Sequence, residues 1–157
     1  MNYQAKPEEF RTLYKFLFFL NELQSILGSY EMGLRDYYDH IDWDSHKNCL
    51  SYWYELKPEW SKGKQYSPVL ISIYIGESGP YDNYPLWIEL NDKDLWPKLK
   101  EIFSEGAINE EEEMVGLNIP FGTDVKDVEI KHWVVDFGEK IKKLRFFSKR
   151  VSKIDKK

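Results

Sequence analysis

A chain of 157 residues with 42% hydrophobic and 31% charged residues has the length and composition of one globular domain, not of a disordered segment. Its one cysteine, Cys49, excludes an intrachain disulfide and fits a reducing compartment. The longest apolar run, residues 16–20, falls short of a membrane span of roughly 20 residues or a secretory core of roughly 7 to 15, so the chain is expected to be cytoplasmic.

The net charge of −5 hides an asymmetry. Residues 140–157 hold nine basic side chains and one acid, a balance of +8, while residues 1–139 hold 13 basic and 26 acidic side chains, a balance of −13. Aromatic residues make up 17% of the chain, more than a small core usually absorbs, and some are expected on contact surfaces.

In chain order, residues 7–28 read as a helix. Pro7 suits the first turn, Glu8 and Glu9 complement its positive end, and Gly28 suits its stop. Phe10, Leu13, Leu17, Leu20, Leu23 (or Gln24) and Leu27 form a stripe that Phe16, Phe18 and Phe19 widen. A short second helix, or a bent continuation, is expected near residues 30–38, followed by a loop. Residues 50–57, 69–75 and 86–90 alternate with period two and are rich in β-branched and aromatic residues, which predicts three strands of an antiparallel meander. A helix over 92–105 is expected, with Asp94 as its cap, Pro97 in its first turn and Gly106 at its end. Residues 109–113, NEEEE, read as a solvated loop, and residues 114–121 as a fourth strand. The last helix spans 127–150, although residues 127–132 also alternate as a strand would. Residues 152–157 are expected to fray.

The expected fold class is α+β: an antiparallel sheet of three to five strands packed against a long N-terminal helix and a C-terminal amphipathic helix. One domain covers 1–157, with a helical part over 1–47, strands and one helix over 48–122, the final helix over 123–151 and a basic tail over 152–157.

Three groups of residues bear on chemistry. First, Glu55 and Lys57 share one strand face with Trp53, and neighbouring strands add Tyr74 and Trp87 to that face. The acid-x-Lys pattern recurs at Asp124, Glu129 and Asp155, four occurrences where chance supplies roughly three, so the pattern is not enriched. Second, DYYDHIDWDSH, residues 36–46, supplies carboxylates and imidazoles, but it fails the calcium-loop pattern because Lys47 stands where Gly is required and Trp53 where Glu is required. No metal is favoured there. Third, GESGPYDNY, residues 76–84, is longer than the usual hairpin connection and carries Tyr81 and Tyr84 in a recognition-like composition.

The order of helix, Trp- and Tyr-rich strands, YPLWIEL, amphipathic helix, NIPF and final helix resembles bacterial proteins of the PD-(D/E)XK nuclease-like superfamily, over the C-terminal two-thirds of the chain. The resemblance implies a metal-dependent nuclease, or a non-catalytic relative, with Mg2+ or Mn2+ held by Asp44 and Glu55 and with Lys57 beside the scissile phosphate. No Pro-Asp pair precedes the strand, a departure from the family pattern.

The function expected first is a small, non-enzymatic protein-binding protein of the inhibitor or immunity type, from a bacterial or phage conflict system. It would act without a cofactor, through Trp53, Tyr74, Tyr81, Tyr84 and Trp87. The alternatives are the nuclease reading with Asp44, Glu55 and Lys57, and a nucleic-acid-binding accessory domain using Lys142, Lys143, Arg145 and Lys149 of the basic C-terminal helix.

Overall fold

The structure, a computed structural model, describes residues 6–29, 41–44, 49–55, 69–76, 84–120, 122 and 124–154. The fold is α+β, with an antiparallel sheet packed against a long N-terminal and a long C-terminal helix. In chain order come α1 (Pro7–Ser29), β1 (Ile41–Asp44), β2 (Cys49–Glu55), β3 (Val69–Gly76) and β4 (Leu86–Leu90). A 3-10 turn (Lys93–Leu95) then leads into α2 (Trp96–Ile102), β5 (Ala107–Asn109), β6 (Met114–Leu117) and α3 (Asp127–Ile154).

The two long helices start with the same device. The backbone N–H of Lys6 donates to the Glu9 carboxylate at 3.0 Å, and that of Lys126 to the Glu129 carboxylate at 2.9 Å. An acid at the third helical position thus satisfies a backbone donor at the cap and also complements the positive helix end. At the 3-10 turn it is Asp92 that caps, accepting from the Asp94 N–H at 3.2 Å, where the sequence favoured Asp94 itself. The reason is the extra turn, which moves the first unpaired donors two residues upstream.

Six strands pair in the order β1-β2-β3-β4-β6-β5 among the described residues, against an expectation of three to five. Two of them, β1 and β5, replace expected loop. Both are short edge strands whose pattern is too brief to read.

Strand registers sort the sheet into two faces. Tyr52, Ile73 and Leu86 stand in one row and Ile71, Ile88 and Val115 in the next. These side chains join Phe16, Phe19, Leu23 and Leu27 of α1 and Ile130, Val134, Phe137 and Ile141 of α3 in one buried core. The alternate row aligns Trp53, Ser72, Trp87, Gly116 and Ala107 in register, with Ser72 and Trp87 turned away from that core.

Helices α1 and α3 lie side by side in the same direction. Lys15 pairs with Asp127, the Lys131 ammonium lies 5.8 Å from the Phe18 ring centre, and the Phe19 and Trp133 rings are 5.6 Å apart. Asp127 takes a hydrogen bond of 2.6 Å from the Lys15 ammonium and one of 3.1 Å from the Tyr14 hydroxyl. The Lys15 bond holds its carboxyl below the usual range, with a smaller push upward from burial. No described helix is long and apolar enough to cross a membrane.

Burial acts on the alternate face at Glu89, whose carboxyl it pushes above its ordinary value of 4.5, opposed by Lys93 and assisted by Glu112. The folded chain therefore keeps this proton to higher pH than the unfolded chain does. Stability falls as pH rises from 4.5 through the raised value. Glu89→Gln removes that loss. Thermal denaturation should show the variant level with wild type near about pH 4 and above it near about pH 7. An equal gap at both would contradict a buried carboxylate at this position.

Candidate functional site

The expected contact face is built differently from its reading. Trp87 is 1% exposed, so its indole is an interior packing element and not a contact surface. It fills the space above Gly116, and the Tyr84 ring meets it edge-on at 5.9 Å. Tyr74 and Tyr84 are half-buried. Trp53 of β2 stands in register with Ser72 of β3, but its side chain is not among those described, and Tyr81 lies outside the described residues.

The strand register also bears on the nuclease residues. Asp44 pairs with Cys49 at one end of β2, and Glu55 closes the other end. At about 3.3 Å per residue, six steps of strand separate them by about 20 Å. Asp44 and Glu55 are thus not brought together around a shared ion. Hairpin geometry is the cause, because the strand after the turn runs away from Asp44. Lys57 lies outside the described residues. Among the described residues no group of His, Cys, Asp and Glu is placed to hold a metal.

Of the basic residues proposed for nucleic acid, Lys142 and Lys143 are exposed on α3. Arg145 and Lys149 belong to the α3 backbone, and their side chains are not among those described.

Two features stand out instead. One is on α1, where Phe10, Leu13, Tyr14 and Leu17 leave 58, 49, 52 and 49% of their surface exposed. The spacing i, i+3, i+4, i+7 places them on one stripe. The stripe is continuous in sequence with Leu20, Leu23 and Leu27, which are buried. The core therefore takes up only the second half of the periodic pattern.

The other is a pocket of about 570 Å3 at the end of the sheet, between the last turn of α2, the end of β6 and the middle of α3. Trp133, Asp136, Phe137 and Lys140 reach it because steps of three and four residues put them on one side of α3. Trp133 stacks on Phe137 at 5.2 Å with an interplanar angle of 8°, and Phe137 meets Phe103 at 5.8 Å. Tyr84 forms another wall. At the rim, Lys140 pairs with Asp136 at 3.1 Å, and its ammonium lies 5.9 Å from the Phe103 ring centre. Glu105, also at the rim, makes no ion pair among the described residues. The size is that of a ligand pocket, and its lining mixes aromatic side chains with as much polar and charged surface.

Beyond the pocket, the acidic 110–113 turn is partly engaged internally. Glu110 takes hydrogen bonds from Lys100 at 3.1 Å and from the Trp96 indole at 3.2 Å, and the Lys100 bond holds its carboxyl below the usual range.

No family model, curated protein or solved structure matches the chain.

Proposed function

We propose that the chain is a non-enzymatic protein-binding protein of the inhibitor or immunity type, and that it docks an amphipathic helix of its partner along the first half of α1. The observation that carries this reading is the exposed stripe of Phe10, Leu13, Tyr14 and Leu17. Four large apolar side chains in one line mark an interaction site more than scattered surface residues do. Phe10, Leu13 and Leu17 are spaced by three and then four residues, the spacing by which one helix receives the side chains of another. The patch is also narrow. A stable dimer of two copies buries about 800 Å2 on each, more than four half-exposed residues supply, whereas a docked helix needs only a seam.

Leu13→Asp tests this. The side chain is half exposed, so the variant should keep the wild-type circular dichroism and melting temperature. Its affinity for the purified partner, once isolated on the wild-type chain, should fall by at least roughly tenfold. Unchanged affinity would overturn the reading. Self-association of the wild-type chain in sedimentation, abolished by the same change, would overturn it in favour of a second copy.

A further inference from the structure

We infer that the pocket at the end of the sheet receives an arginine side chain from an extended segment of a basic protein. The argument starts with the cation already present. The Lys140 ammonium rests between the Phe103 ring, 5.9 Å from its centre, and the Asp136 carboxylate at 3.1 Å. An aromatic face with a carboxylate beside it is an environment that stabilises a positive charge, and guanidinium groups exploit it best because they stack flat and bind carboxylates in pairs. Glu105 stands at the same mouth without an ion pair among the described residues. Glu105 and Asp136 against Lys140 leave the lining one negative charge in excess.

The wider chain has the same sign. Residues 1–139 carry 26 acids against 13 bases, which favours encounter with a basic partner.

The shape points to a polypeptide. The volume of about 570 Å3 exceeds one side chain and leaves room for its flanking backbone. Gly106, part of the lining, is followed directly by β5, the terminal strand of the sheet. The outer edge of β5 has no strand paired to it among the described residues. A guest strand added there would hold main-chain hydrogen bonds along Ala107–Asn109 and lower one side chain toward the pocket, the usual division between affinity and specificity in strand addition. Incoming guanidinium competes with Lys140 for Asp136, so Lys140 acts as a resident placeholder that limits affinity.

That competition gives a test with opposite signs. A labelled hexapeptide with one central arginine among uncharged strand-forming residues, and twins carrying glutamate or norleucine there, are titrated against the full chain by fluorescence anisotropy. The arginine peptide should bind at least roughly tenfold more tightly than either twin. Asp136→Asn and Glu105→Gln should each weaken it several-fold, and Lys140→Met should tighten it. All three side chains reach the surface, so melting temperatures report whether the variants fold. Leu13→Asp, which alters only the α1 stripe, should bind the peptide as wild type does.

Tighter binding of the glutamate twin, lost in Lys140→Met, would overturn the inference and make the pocket an anion site. Equal binding of the three peptides, no binding of any, or loss of the arginine peptide in Leu13→Asp would also overturn it. Failure of the peptide with the α1 result intact would leave the proposed function standing.

Discussion

Phe137→Ala is expected to lower stability by about 3–5 kcal/mol. Phe137 is 2% exposed and ties α3 to the end of α2, meeting Phe103 there and stacking on Trp133 of its own helix. Removing the ring takes away its burial and leaves a void that Trp133 cannot fill without abandoning Phe19. A typical domain has about 5–15 kcal/mol in all, so the change takes a large share. Denaturant unfolding measures it. Phe137→Leu, which keeps most of the volume, should cost markedly less. A cost below about 1 kcal/mol for the alanine variant would mean that the ring is replaceable by water or by its neighbours.

Gly116→Ala is the second large effect, from adding a single methyl group. A Cβ at Gly116 would stand 2.9–3.0 Å from three atoms of the Trp87 six-membered ring. That ring is buried and rigid and cannot retreat as a flexible side chain would. The expected cost is about 1–3 kcal/mol, the usual range for overpacking a dense interior. The cause can be isolated. Trp87→Phe removes the part of the indole that Gly116 accommodates, so Gly116→Ala should lose most of its cost in that background. A double-mutant cycle should therefore give a coupling above about 1 kcal/mol, and effects additive within about 0.5 kcal/mol would refute the clash.

The sequence patterns held where a segment is long and has one partner. Strand β4 falls on the expected 86–90, β3 extends one residue beyond 69–75, and the helices starting at Pro7 and Asp127 begin where expected. The ambiguity over 127–132 is resolved by two contacts absent from any local pattern. Glu129 caps the helix from within, and Lys15 holds Asp127 from another helix. Strands β1 and β5 were missed because four and three residues are too few to show a period.

The candidate sites were less legible. Periodicity runs unbroken from Phe10 to Leu27, yet along that stripe only Leu20, Leu23 and Leu27 enter the core. A period reports that a face exists, not how far its partner extends. Trp87 was expected at a surface because alternation places it opposite the core, and nothing local reveals that Gly116 leaves room to bury it. The pocket is legible only along one helix edge. Tyr84, Phe103, Asn118 and Trp133 come from four parts of the chain and meet only after the sheet forms. One signal was present: Trp133, Asp136, Phe137 and Lys140 repeat at helical spacing beside the core stripe, a mixed aromatic and charged edge that a purely solvated flank would not carry.

The side-by-side alignment of α1 with α3 also governs biosynthesis. The Tyr14 and Lys15 contacts to Asp127 span sequence separations of 113 and 112 residues. During translation at about 5–20 residues per second, α1 leaves the ribosome on the order of ten seconds before the helix it rests against. For that interval its phenylalanines and leucines lack the cover that α3 supplies, and the nascent chain is more vulnerable to chaperone capture or aggregation. Closure of the domain waits for its last helix, so a premature stop before residue 127 would release a chain whose first helix has lost its neighbour.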